Sequence, residues 1–259
     1  GLWIFAQGMP VNVPEAFRLL YKTAGFAYSA RLLKTKDRPG RGAEHGSKQG
    51  ETGFYGGIAH ALESVGCRIE AAGMEHFRSL EGPCVFIGNH MSTLETFVLP
   101  SMIQPWKDVT FVVKESLLKY PFFGPVLGSR EPIVVGRSNP REDLVAVLEG
   151  GEARLKQGRS VIVFPQSTRS SVFDPAHFNT IGVKLAKRAG VPVIPVALKT
   201  DAWGNGNLLK DFGPVDVKKT IHFEFGAPMR IEGTGKAEHQ QITEFIIDRL
   251  GVWGREIGE

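Results

Sequence analysis

Apolar residues in the last two thirds of the chain arrive in short, dense runs separated by longer amphipathic stretches. The runs at 84–88, 109–113, 132–135, 161–164, 193–198 and 221–225 are rich in Val, Ile and Phe and too short for helices, so each predicts a buried strand. Stretches 95–103, 140–157, 181–189 and 238–250 place apolar residues at helical spacing and predict helices. A further helix is expected over 54–65 and a short strand over 67–70, and Pro121 and Pro125 interrupt a helical pattern at 117–127. Strand and helix alternate, which predicts an α/β fold with a mostly parallel sheet flanked by helices. Functional groups in such sheets collect where strands end at their carboxyl side. His90, Arg137 and the polar run after Phe164 all follow strand ends.

The first fifth of the chain differs. Phe17, Leu20, Tyr21, Ala24, Ala27, Tyr28 and Leu32 share one helical face, with Arg18, Lys22 and Ser29 on another. Residues 34–53 are rich in Gly, Lys and Arg and predict a linker. The chain thus divides into an N-terminal amphipathic helical segment with a basic linker at 1–50 and a main domain at 51–259. Eight Lys/Arg in residues 1–48 face three acids, an excess of five positive charges where the whole chain carries +4, so the remainder is near −1. A cationic amphipathic helix suits an anionic membrane surface, and packing on its own domain is the equal alternative. No run of 18 apolar residues predicts a bilayer span. The chain begins at Gly1, not Met, so a preceding native segment is expected to have been trimmed. Nucleic acid is not the expected partner: the chain holds no zinc spacing, helix-turn-helix pattern or RNA-binding aromatic signature.

The most informative chemistry lies at 86–95, where an apolar strand runs into Asn89-His90 with Glu95 five positions on. A histidine beside a carboxylate is a minimal device for taking a proton from a hydroxyl at neutral pH. On one continuous helix, positions five apart diverge by about 140°. The two side chains meet only if His90 sits ahead of the helix, with Ser92 or Thr93 as the cap and Glu95 on the second turn. Alone, a histidine at a strand end is more often structural than catalytic.

Three further runs change that weighting. At 161–170 a buried strand ends in Phe164-Pro165 and delivers Gln166, Ser167, Thr168 and Arg169, whose hydroxyls and guanidinium suit a phosphate. At 132–138 a strand is followed by Arg137, and at 109–124 a strand is followed by Lys114 and an apolar, proline-broken stretch suited to a greasy groove. Taken singly, each is as well explained by a surface charge or by core packing. Cys67 and Cys84 sit in apolar surroundings without metal spacing and read as reduced core thiols. A His-Glu-x-x-His motif is absent and His90 has no ligand partners at suitable spacing, so no metal is expected; a Gly-x-Ser-x-Gly elbow is absent too.

Together these blocks, in this order over residues 65–225, resemble the PlsC-type glycerolipid acyltransferase family. The matching blocks are Asn-His-x4-acid at 89–95, Lys-x-x-Leu through Pro-Phe-Phe-Gly at 114–124, strand-then-Arg at 132–137, Phe-Pro through Thr-Arg-Ser at 164–170, and the Val-Pro-Val-Ile-Pro-Val strand at 191–196. The resemblance implies transfer of a fatty acyl group from acyl-CoA or acyl carrier protein to the hydroxyl of a lysophospholipid, lysophosphatidate foremost. No cofactor is implied beyond that co-substrate. By the same resemblance His90 is the general base and Glu95 its orienting carboxylate, while Lys114, Arg137, Gln166, Ser167, Thr168 and Arg169 bind substrate. The implied location is the cytoplasmic face of the inner membrane, peripheral or monotopic.

Two departures stand out. Glu95 replaces the family's aspartate, and Gln166-Ser167 replaces its Glu-Gly pair, with Asp174 a candidate to restore the missing carboxylate. They leave two rival readings: a different lysolipid or amino-acid-based lipid acceptor, or a catalytically silent lipid-binding protein.

Overall fold

The computed structural model describes residue 59 and residues 61–119, 123–128, 130–166, 168–204 and 213–254. The expected amphipathic helix and basic linker within 1–50 lie outside the described residues. Seven strands, β1 (Ile69–Ala72), β2 (Val85–Gly88), β3 (Val109–Lys114), β4 (Ile133–Val135), β5 (Ser160–Val163), β6 (Val193–Lys199) and β7 (Ile221–Phe225), form one sheet in the order β1-β7-β6-β2-β5-β3-β4. The block from β6 to β4 is parallel throughout. β7 runs antiparallel to β6 and β1 parallel to β7, so the sheet is mostly parallel with two reversed strands at one side.

Burial patterns account for these directions. The central strands β2 and β5 are buried at every position, as sheets covered on both faces require. In β7, Ile221, Phe223 and Phe225 are buried while His222 and Glu224 are partly exposed, the alternation of a strand with one wet face. The two faces of the sheet belong to two apolar clusters. Phe86 and Ile162 join Leu94, Phe97 and Leu99 on one face. Val85, Ile87, Val161 and Val163 join Val147, Leu185, Ile242 and Ile246 on the other. Burying each such side chain contributes roughly 1.5–3 kcal/mol before entropy is counted.

Helices cover the sheet as the periodicity predicts. In chain order they are α1 (Glu75–Arg78), α2 (Leu94–Ile103), α3 (Glu115–Leu118), α4 (Phe123–Gly128), α5 (Pro140–Lys156), α6 (Ile181–Ala189) and α7 (Lys236–Val252). α5 shows its sequence logic fully. Asn139 caps it by accepting from the Arg141 N–H at 3.1 Å, Pro140 opens it, Glu142 and Asp143 occupy the first turn, and Arg154 and Lys156 the last. α6 ends on Gly190 in the left-handed conformation (φ 67°), and its Gly182 lets the helix approach the sheet, where a Cβ would stand 2.8 Å from the Ile87 side chain. The proline-broken pattern at 117–127 resolves into the two short helices α3 and α4. α2 is almost wholly buried and contains Pro100, whose missing N–H removes the helical donor to the Thr96 carbonyl. Among the described residues, no helix is long and apolar enough to cross a membrane.

Candidate active site

β2 delivers the centre of the site. Asn89, buried just past the strand, donates to the Leu198 carbonyl at 2.8 Å and accepts from the Leu198 N–H at 2.8 Å, extending the β2–β6 pairing through a side chain. The chain then turns, presents His90, and enters α2 at Leu94. His90 Nδ1 lies 2.8 Å from Glu95 Oε1, so the two side chains meet across the strand-to-helix turn.

The local geometry differs from the expected one in one respect and chooses between the two expected caps. Glu95 stands on the first turn of α2, not the second, and Thr93 makes no side-chain cap. Ser92 takes that part, its Oγ accepting from the Leu94 N–H at 3.1 Å. The carboxylate itself also caps the turn. Oε1 accepts from the Met91 N–H at 2.7 Å and the Ser92 N–H at 2.9 Å, and Oε2 from Ser92 Oγ at 3.0 Å and Thr200 Oγ1 at 2.5 Å. Glu95 is fully buried. Burial acts to raise its pKa, but the hydrogen bond and charge of His90, with donors from Thr200 and Ser92, outweigh it and hold the carboxyl below its usual range. An ionised Glu95 only accepts, so His90 Nδ1 carries the proton and Nε2 is the nitrogen able to take another.

The imidazole is fixed in a second direction by Phe164, which follows β5 and stacks on it at 4.5 Å between centroids and 5° between planes. The loop after Phe164 grips the His90 peptide. Gln166 Oε1 accepts from the His90 N–H at 2.7 Å, and the Ser170 N–H donates to the His90 carbonyl at 2.9 Å. Gln166 is thus buried beneath the backbone of His90 and is not among the residues lining the cleft, where substrate binding would have placed it. The contact needs only an acceptor oxygen, which the Gln166 amide supplies.

A cleft of about 100 Å³ opens beside the imidazole. His90, Glu95 and Phe164 form one wall, Lys114 and Arg137 supply two cations, and Pro100, Phe111, Val113, Leu117 and Ile162 supply an apolar surface. Four strand ends (β2, β3, β4 and β5) meet there. Arg137 adopts a left-handed backbone (φ 63°), a conformation an L residue holds only when its surroundings impose it. Asp143 in the first turn of α5 imposes it, accepting from the N–H groups of Gly136 (2.9 Å) and Arg137 (3.0 Å).

The remaining sequence-nominated residues fall elsewhere. Arg169 donates to Thr93 Oγ1 at the start of α2, and Thr168 is exposed; neither lines the cleft. Ser167 lies outside the described residues. Asp174 does not replace the missing carboxylate, because it caps the turn Pro175–His177 and accepts from the Ala176 N–H and His177. Three contributors went unnoticed in the sequence reading: Phe164 as a stacking partner, Asp143 as the brace of Arg137, and Thr200.

Cys67 and Cys84 are buried, and burial pushes both thiols up to about 11, Asp216 adding to the effect at Cys67. They are expected to resist iodoacetamide at pH 8 in the native chain and to react in denaturant, as mass spectrometry of the intact protein will show. Rapid native alkylation would contradict their placement.

Comparison with known proteins fits this geometry. The profile of the family described as Acyltransferase matches residues 68–199, from the edge of β1 to the end of β6. The chain belongs to the acyltransferase family. All the cleft residues named above lie within that match. Over 171 residues this acyltransferase-family chain is 36% identical to the 1-acyl-sn-glycerol-3-phosphate acyltransferase of Pseudomonas aeruginosa, covering 66% of this chain and 63% of that protein. It is 30% identical over 119 residues to the enzyme of that name from Escherichia coli, covering 46% and 48% respectively. The matched part therefore spans less than two thirds of these relatives. The crystal structure of PlsC, the 1-acyl-sn-glycerophosphate acyltransferase of Thermotoga maritima, superposes with a TM-score of 0.69 over the full length of both chains at 18% identity, a likeness of fold.

Proposed function

We propose that the protein transfers a fatty acyl group from a thioester, acyl-CoA or acyl carrier protein, to the free hydroxyl of a lysophospholipid, with lysophosphatidate giving phosphatidate as the preferred reaction. The observation that carries this reading is the His90–Glu95 pair, 2.8 Å apart, opening on a cleft that also holds Lys114 and Arg137. Nε2 of His90 takes the proton of the acceptor hydroxyl, and the oxygen attacks the thioester carbonyl. The C–O bond forms, the C–S bond breaks, and the imidazolium returns its proton to the departing thiol. Glu95 holds the imidazole in the required tautomer and stabilises its charge meanwhile. Lys114 and Arg137 hold the acceptor phosphate, Arg137 by a two-pronged contact. The apolar wall from Phe111 to Leu117 receives acyl chain. The names carried by the Pseudomonas and Escherichia relatives support the choice of lysophosphatidate. The N-terminal segment at 1–50 is assigned to an anionic membrane surface on its composition, with the catalytic domain at the cytoplasmic face.

Arg137→Ala tests the assignment of the phosphate. Its kcat/KM should fall roughly 10–100-fold for lysophosphatidate, the cost of a charge-assisted contact, and far less for an uncharged monoacylglycerol. Equal losses on both acceptors would remove phosphate recognition from this residue and favour a different lysolipid.

A further inference from the structure

Glu95 is one methylene longer than an aspartate would be at this position, and that length has a visible consequence. Its Oε1 serves the turn, bonding His90, Met91 and Ser92; Oε2 accepts from the Ser92 N–H at 3.1 Å and Ser92 Oγ at 3.0 Å and also reaches across to β6, where Thr200 Oγ1 donates at 2.5 Å. Thr200 follows the last residue of β6 and is fully buried. The other donors to Glu95 all come from residues 90–92, which sit on the same turn and move with it. Ser92 Oγ, which donates to Oε2, also accepts from the Leu94 N–H, so both of its bonds lie within the turn. Thr200 is the donor from a separate strand, and β6 is tied to the same turn by the paired bonds of Asn89 with Leu198.

We propose that Thr200 is a positioning residue for the acyl transfer: it pins Oε2 of Glu95 to β6 so that Oε1 stays on Nδ1 of His90. The inference rests on the acyl-transfer reading above. Its physical basis is the last torsion of a glutamate, a broad sp3–sp2 rotation that no steric well fixes. The bonds from residues 91 and 92 hold both oxygens to the turn; the Thr200 bond adds the tether to a separate strand, and losing it loosens the carboxylate plane and with it the bond to the imidazole. An aspartate at 95 would withdraw its carboxylate from Thr200 by about 1.5 Å, one C–C bond, beyond hydrogen-bonding distance. Thr200 thus has this task because position 95 is glutamate.

The experiment compares Thr200→Val, Thr200→Ser, Glu95→Asp and Glu95→Asp/Thr200→Val in the full chain, with acyl-CoA and lysophosphatidate. Thr200→Val keeps the shape and removes the hydroxyl. It should lower kcat about ten-fold, the loss expected for one hydrogen bond to a charged group, with both KM values within about two-fold of wild type. Thr200→Ser should recover most of that kcat. In the Glu95→Asp background, adding Thr200→Val should change kcat by less than about two-fold. The His90 Nδ1–H resonance, followed by 15N NMR and assigned with His90→Gln, should shift and broaden in Thr200→Val and stay in place in Thr200→Ser. An unmoved resonance, an unchanged kcat in Thr200→Val, or the same loss in both backgrounds would overturn the proposal. If the wild type transfers no acyl group yet the resonance responds as described, the acyl-transfer reading fails and Thr200's hold on the pair stands.

Discussion

His90→Ala is expected to lower kcat for acyl transfer by roughly 10²–10⁴ while leaving the fold and its thermal transition in place. The magnitude follows from what the imidazole alone supplies. Its Nδ1 is taken by Glu95, its plane is set against Phe164, and its side chain is still about one-fifth exposed and lines the cleft. The fold survives because the backbone contacts of residue 90, to Gln166 and Ser170, do not involve the ring. His90→Gln is the companion variant: it fills the space, keeps a donor near Glu95, and should be as inactive as Ala. Circular dichroism and a melting curve beside the initial rates check both halves of the expectation.

Glu95 carries the second large effect, and it divides between activity and stability. Glu95→Ala strips acceptors from His90 Nδ1, the Met91 and Ser92 N–H groups, Ser92 Oγ and Thr200 Oγ1 at a fully buried point. Each buried donor left unpaired costs about 1–3 kcal/mol, so the variant should lose a large part of its folding free energy as well as its activity. Glu95→Gln retains one acceptor oxygen and the size of the side chain. It should fold, but with kcat lowered roughly 100-fold, because the charge that supports the imidazolium is gone. The pH dependence separates the two roles. The folded pKa of Glu95 lies below its ordinary value of 4.5, so its contribution to stability is complete above that value. The contribution is lost as pH falls through the folded pKa. Glu95→Gln should flatten that acid limb in denaturant titrations between neutral pH and pH 3, and a limb unchanged from wild type would contradict the account of the carboxylate.

Much of the fold was legible because its signals are local. Runs such as Val85-Phe86-Ile87 and Val161-Ile162-Val163 admit few structures other than buried strands, and the helical spacing over 140–157 places α5 to within a residue. The four residues of α1 were missed because one turn carries no periodicity. Strand order was out of reach: β5 inserts between β2 and β3, and nothing in either run encodes its neighbour. The site divides in the same way. His90 and Glu95 lie five residues apart, so simple helix geometry sufficed to ask where they meet. Lys114 and Arg137 follow strand ends, where α/β sheets gather their ligands. The part that stayed hidden consists of contacts between residues about 75 to 110 positions apart: Gln166 under the His90 peptide, Arg169 on Thr93, and Thr200 on Glu95. A polar loop ending in arginine resembles a phosphate cradle equally well when Gln166 and Arg169 serve the neighbouring turn. The only sequence hint of Thr200 was the glutamate itself, a longer arm that needed something to hold.

The central claim is that His90 activates the acceptor directly, with no acyl group ever resting on the protein. Thiol release from acyl-CoA, followed in a stopped-flow instrument with and without lysophosphatidate, tests it most directly. The account predicts thiol release only when the acceptor is present, equal in amount to the phosphatidate formed and absent in His90→Ala. A burst of thiol without acceptor, with a matching mass gain on the protein, or undiminished release in His90→Ala, would contradict it.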